Sequence, residues 1–496
     1  MELRAKLFQI EAGGSFIILL NEKIAKELDL MSGDRARVMA GRRYIVAIVD
    51  IAKKIKDNEI GVFSEITDEL DLDSGQLVNI VPEEAPKSLG NIRKKLDNKP
   101  ITKDEVFEIV NDIIDNVLTQ AELAYFVSAA YTHGFSMNET EYLTKAMAET
   151  GDMLKWSKKT IVGKHCIGGI AGNRTTMLIL PIVTAAGMIM PKTSSRSITS
   201  PAGTADTMEV LTSVSFKSVG EIKNIVKKTN GCLVWGGALR LAPADDAIVK
   251  VEHSLELDPT PMLLASIMAK KYVEGVTHLL IDIPIGRFAK AKTPKEFLHL
   301  KKHFEQLAKR LKIKIKVIRT EGEEPIGNGL GPALEAKDVM WVLQNDKRAP
   351  ADLREKSLMM AGVLLELGGK AKAGKGKKLA REILQSGKAL AKMKAIIAAQ
   401  GGKPNINPDK IKLGTCTHNV TANKSGKLTI LNNDRISRIA RLAGAPKNKG
   451  AGIYLYVHKN AKVKKGEKLF TIYAESDWKL NEAVKFLKKH TPVEIR

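Results

Sequence analysis

Between about residues 160 and 330, apolar strand-like runs alternate with helical stretches. GGIAGNRTTMLILP is followed by EIKNIVKKT, GCLVWGG, PMLLASIMAKKYVEG, THLLIDIPIG and KIKVIRT. A helix between two strands returns the chain in the direction of the first, so this order predicts an α/β domain with a sheet covered on both faces. In such folds ligands gather beyond the carboxyl ends of the strands.

The remaining segments read differently. Residues 1–82 carry short alternating runs such as FQIEAGGSFIIL and DRARVMAGRRYIVAIV broken by Gly and Asp turns, which predicts an N-terminal β-rich domain. PEEAPKSLG, from Pro82 to Gly90, reads as a linker. From Thr102, an acidic first turn and apolar residues three and four apart predict helices, giving a helical domain over 90–155, expected to be joined by part of 205–230. The central α/β catalytic domain then covers 156–340. A C-terminal helical and α+β region covers 341–496, ending on the helix DWKLNEAVKFLKK.

A chain of 496 residues buries ample apolar surface without staples. Its three cysteines, Cys166, Cys232 and Cys416, lie far apart with no CxxC spacing, so neither a disulfide framework nor a zinc site is indicated. TMLILPIVTAAGMIM, from Thr176 to Met190, is too short to span a bilayer and carries Pro181; it reads as buried strand or helix. The N-terminus has acidic residues and strand-like alternation in place of a signal peptide's basic start and apolar core, so a cytoplasmic location away from membranes is expected. The net charge of +23 raises nucleic-acid binding, yet Lys and Arg are spread along the chain and aromatics are 5%, leaving few rings for base stacking. The densest cluster, KAKAGKGKK at Lys370–Lys378, reads as a solvated loop. A basic surface equally concentrates small phosphorylated anions.

Four stretches carry chemistry. In KHCIGGIAGNRTT, Lys164–Thr176, two adjacent glycines and Gly172 let the backbone approach a ligand, and successive N–H groups in such turns form an anion nest. Lys164, Thr175 and Thr176 add a charge and two hydroxyls; no Gly-Lys-Ser/Thr follows at P-loop distance. KTSSRSITSPAGT, Lys192–Thr204, places seven hydroxyls, one arginine and one glycine ahead of the helix start ADTMEVL. It reads as a loop satisfying its own backbone or as an anion site with Thr204 at the exposed helix N–H groups. In LELDPTPMLLASIMAKK, Asp258 precedes Pro259 and reads as an N-cap or a functional carboxylate, while Ser266 and Lys270 share one helix face. In HLLIDIPIGRFAK, Lys290 follows a buried strand and a glycine, as a solvated lysine or a ligand at the sheet's carboxyl end.

Taken in order, these stretches resemble the thymidine/pyrimidine-nucleoside phosphorylase family. Lys164-His165-Cys166-Ile167-Gly168-Gly169 echoes its KHS-x-GG phosphate loop, SSRSITSPAGTAD its Ser-Gly-Arg through Gly-Gly-Thr segment, and ASIMAKK its ASIL-x-KK helix. Within the family, CLVWGGALRLAPADD, IDIPIG, GPALEA and the added β-rich domain at 1–82 are similar to the archaeal AMP phosphorylases. The resemblance implies a class II nucleoside phosphorylase-like fold and phosphorolysis of AMP to adenine and ribose 1,5-bisphosphate. It also implies use of CMP and UMP, with the sugar product feeding an isomerase and an archaeal ribulose bisphosphate carboxylase. Asp258 would be the proton donor, while Gly169, Ser195, Arg196, Ser197, Ile198, Thr199, Ser200, Thr204, Ser266 and Lys290 would hold nucleotide and phosphate. No metal and no cofactor are expected, inorganic phosphate being a co-substrate, and the protein is expected to be a homo-oligomer, at least a dimer.

The chemistry explains these residue types. Phosphate attacks C1′ as the bond to the base breaks, so positive charge develops on the sugar and negative charge on the departing heterocycle. An acid that protonates the base contributes about 10²- to 10⁴-fold. Backbone N–H groups and hydroxyls orient phosphate without crowding positive charge beside the developing cation. The 5′-phosphate and the attacking phosphate need two donor sets, and Arg196 suits a bidentate contact with either. Cys166 stands where many relatives have serine, and a thiol is the weaker donor. By the same resemblance His165 is a rival acid. Two rival functions remain at this level: a nucleoside phosphorylase indifferent to the 5′-phosphate, and a basic nucleic-acid-binding protein on the same scaffold.

Overall fold

The computed structural model describes residues 1–157, 159–197 and 200–496, which form two compact units. The first comprises Met1–Thr150 and Ala242–Ser266, the second Gly151–Leu241 and Ile267–Arg496.

The first unit opens with a closed six-stranded barrel built from Glu2–Leu7, Ile17–Leu20, Arg35–Ala40, Arg43–Ile51, Glu59–Val62 and Leu77–Glu83. Alternation puts Leu3, Ile18, Leu20, Val38, Val49, Ile60, Val78 and Ile80 inside, as the period of two requires. Short helices follow. Lys103–Ile114, Gln120–His133 and Met137–Glu149 each begin with a reciprocal capping box, from Thr102–Glu105, Thr119–Glu122 and Ser136–Glu139. Arg35, on a barrel strand, donates to Glu122 and to the Val117 carbonyl, fastening barrel to helices. The segment that completes this helical layer is the helix Pro243–Leu255, which packs on Lys103–Ile114 and Gln120–His133. Residues 205–230, expected in that place, belong to the second unit; their helix Val219–Thr229 turns its apolar face to the strand Gly231–Trp235 instead.

In the second unit, Lys314–Glu321, His278–Ile285 and Val162–Cys166 form a parallel sheet in that order. The bridge between Ile161 and Ile189 carries it on to the parallel pair Met190–Ser194 and Gly231–Trp235. The α/β expectation therefore holds. TMLILP, for which the sequence leaves strand and helix both open, is a helix: Thr175–Ala185 is helical with Pro181 inside, and every residue from Thr175 to Thr184 is buried. An element buried on all sides needs no polar face, so its sequence loses the period that separates helix from strand. The strand in this region comes later, at Met190–Ser194. Helices Ala351–Leu367, Gly376–Gln385 and Lys388–Ala399 pack over the same core, and the chain ends in two small antiparallel sheets with helices Asn433–Leu442 and Asp477–Lys489.

Candidate active site

Three strands of the second unit end at loops that sequence singled out. Val162–Cys166 runs into Gly168–Gly169, Met190–Ser194 into Ser195–Thr204, and His278–Ile285 into Gly286–Lys290. Parallel strands place all three loops at the carboxyl edge.

The glycine loop is built by close approach. Gly169 has φ +91°, and a Cβ on it would meet the Lys290 backbone nitrogen at 2.9 Å, so the first and third loops lie against each other. Gly172 has φ +71°, and a side chain there would overlap the Ile326 carbonyl oxygen. Asn433 clamps the loop from the C-terminal region, accepting from the Ala171 N–H at 2.9 Å and donating to the Gly169 carbonyl at 2.8 Å.

Beneath the loops lies a buried charge cluster. Lys164 is 2% exposed, donates to Thr175 Oγ1 at 3.0 Å, and stands 3.9 Å from the fully buried Asp282. Lys271 pairs with Glu274, both fully buried, and Glu274 accepts the N–H and hydroxyl of Thr193 at 2.9 and 2.7 Å. Breaking such a pair from one side costs about 3–5 kcal/mol. Lys192 is also buried, with Nζ against the Thr193 carbonyl. Lys164, Lys192 and Lys271 thus lie near Glu274 and Asp282, and Lys356 Nζ stands 3.5 Å from Asp282 as well. Burial, with Lys271 close by, drives Lys192 well below the ordinary lysine range. Burial, then Lys271, Lys192, Lys270 and Lys164, holds His165 well below the ordinary histidine range, and its Nδ1 has no hydrogen-bond partner among the described residues.

Cys166 adjoins the same cluster. Burial and Asp282 push its thiol up to about 11, and Asn173 Nδ2 lies 3.3 Å from its sulfur.

The hydroxyl-rich loop serves itself as well as any ligand. Ser197 Oγ bonds the Ser200 carbonyl and lies 3.1 Å from Ser200 Oγ, which donates to the Ala202 carbonyl at 2.8 Å. Asp206 takes the N–H groups of Ser197 and Gly203, both at 2.8 Å. Gly203 has no room for a side chain, since a Cβ would meet the Ser195 carbonyl at 2.6 Å. Arg196 donates two hydrogen bonds to Glu209, at 2.6 and 2.8 Å, and a weaker one to Asp206, while lying 4.7 Å over the Trp235 ring. That contact and Lys449 hold the Glu209 carboxyl at about 2. Ser195 is exposed and Thr204 half-buried at the first residue of the helix Thr204–Met208. Ile198 and Thr199 lie outside the described residues.

Asp258 and Ser266 belong to the first unit. The helix Thr260–Val273 begins two residues after Asp258, which is exposed. Ser266 and Lys270 stand one turn apart on that helix. Lys290 is exposed at the third loop. Sequence reasoning missed Arg174, Glu274, Glu335 and Asn433. Arg174, buried, donates to Glu335, to the Ala202 carbonyl and to Thr204 Oγ1. These partners stand far apart along the chain, so no local pattern marks them.

Comparison with known proteins agrees with this construction. Residues 91–151 match the helical bundle domain of a glycosyl transferase family, 158–390 its a/b domain, and 427–494 the pyrimidine nucleoside phosphorylase C-terminal domain. The AMP phosphorylase of Thermococcus kodakarensis is 47% identical over 97% of this chain and 95% of its own. That of Pyrococcus furiosus is 45% identical over 100% of this chain and 98% of its own, and that of Methanocaldococcus jannaschii 45% over 97% and 95%. Among solved structures, anthranilate phosphoribosyltransferase from Thermus thermophilus shares the fold at 18% identity and TM-score 0.51, covering 62% of this chain and 98% of its own. With relatives of this identity matched along nearly the whole length, the chain belongs to the AMP phosphorylase family.

Proposed function

We propose that this protein is a pentosyltransferase that splits AMP with inorganic phosphate into adenine and ribose 1,5-bisphosphate. The observation that carries the reading is the set of buried amines under the three loops. Burial holds the Lys164 and Lys192 amines below their ordinary range, and an anion arriving at the loops would favour their charged forms. Family membership supplies the substrate, and the loop donors supply a way to hold it.

In this reading Asp258 gives its proton to the departing base. Gly169, Ser195, Arg196, Ser197, Ile198, Thr199, Ser200, Thr204, Ser266 and Lys290 hold nucleotide and phosphate. The Arg196 guanidinium, already shared between Glu209 and Asp206, contributes direction more than net charge. The neutral state favoured for His165 suits a hydrogen-bonding imidazole better than an imidazolium acid. CMP and UMP join AMP as substrates, no cofactor or metal takes part, and the enzyme works in the cytoplasm as a homo-oligomer of at least two chains. Its sugar product passes to an isomerase and a ribulose bisphosphate carboxylase.

The test compares AMP with adenosine at equal concentration and saturating phosphate. AMP is expected to release base faster; faster release from adenosine would sink the nucleotide reading.

A further inference from the structure

Arg174 closes the glycine loop and touches the hydroxyl loop at the same time. Its Nη1 donates to Thr204 Oγ1 at 3.0 Å, its Nη2 to the Ala202 carbonyl, and its Nε to Glu335. Glu335, 1% exposed on the helix Pro332–Leu343, also takes the Thr207 hydroxyl at 2.8 Å and the Gly331 N–H at 3.2 Å. The guanidinium charge is therefore balanced where it sits, and what it exports to the loop is direction.

A hydroxyl has one proton and two lone pairs, and a guanidinium has donors and no acceptor. With a lone pair of Thr204 engaged by Arg174, the Thr204 proton must point elsewhere, and a hydroxyl that accepts from a charged donor is itself a stronger donor. We propose that Arg174 is a positioning residue: it fixes the Thr204 hydroxyl as a donor toward an anionic oxygen of the substrate and locks the glycine loop to the hydroxyl loop. This rests on the reading of Thr204 as a substrate contact. The anion is a phosphate oxygen, of either the co-substrate or the nucleotide, and separate titration of the two tells them apart.

The experiment measures kcat and KM for AMP and for phosphate in the unaltered protein, Arg174→Lys, Thr204→Val, Thr204→Ser and the Arg174→Lys/Thr204→Val double variant. Lysine keeps a charge for Glu335 but cannot span all three acceptors. Arg174→Lys and Thr204→Val should each raise the KM of the same substrate by about tenfold or more, with kcat within about threefold, as expected for loss of a charge-assisted hydrogen bond. Thr204→Ser should stay within about twofold, and the double variant should be no worse than Thr204→Val alone. If Arg174→Lys leaves both KM values unchanged while Thr204→Val raises one, or if the two effects multiply, the proposal is overturned. Turnover of AMP by the unaltered protein is scored first, so failure of the reaction reading is distinct from failure of the positioning role. Should Arg174→Lys not fold, the Thr204→Val and Thr204→Ser pair carries the test, and a Thr204→Val protein with unaltered KM values overturns it.

Discussion

Under the proposed reading, Asp258 and His165 are rival donors for one proton transfer. His165 lies among four lysines in a buried cluster, which disfavours the imidazolium form through neutral pH. An imidazolium acid would lose its proton as pH rises through that depressed value, so activity carried by it would be confined to acid solution. With Asp258 as the donor, no such loss is expected on passing from mildly acid to neutral pH. Asp258→Asn should lower kcat by about 10² or more while changing the KM for AMP little, and His165→Ala should cost less in kcat. Near-normal turnover in Asp258→Asn beside an inactive His165→Ala would reverse the assignment. At this scale the sequence was legible where a residue type is unusual for its neighbourhood, as with Cys166 after a Lys-His pair. The thiol's high value and its Asn173 and Asp282 neighbours were not, because they depend on strands and loops meeting in space.

Elements were legible wherever one face is wet. The capping boxes at Thr102, Thr119 and Ser136 and the alternating barrel strands follow directly from local pattern. For the helix Thr175–Ala185 the sequence leaves strand and helix both open, because complete burial erases its period. Of the two readings of the hydroxyl-rich loop, the structure shows the first, since Ser197 and Ser200 satisfy the loop's own backbone; the second rests on the role proposed for Thr204. The glycine loop gives the sharpest element-scale expectation. Gly172→Ala puts an L side chain at φ +71° against the Ile326 carbonyl, so it should destabilise the protein by at least about 2 kcal/mol. Thermal denaturation of the variant checks this, and an unchanged melting temperature would mean the loop is not held as described.

At the scale of the whole molecule, the division into an N-terminal barrel, helices, an α/β core and a C-terminal α+β part follows from changes of period along the chain. The ties that complete it do not. Glu335 reaches Arg174 from 161 residues away and Asn433 reaches Ala171 from 262, distances over which a single sequence gives no pairing signal. The surplus charge has the same character. A net charge of +23 does not by itself choose between nucleic acid and small anions, and the burial of Lys164, Lys192 and Lys271 among the strand ends is marked by no local pattern. Whether these loops present phosphate to a nucleotide is decided by incubating the protein with AMP in the presence and absence of inorganic phosphate and identifying the products. Adenine and ribose 1,5-bisphosphate are expected in equal amounts only when phosphate is present; adenine released equally without phosphate, or no adenine at all, would overturn the phosphorolytic reading.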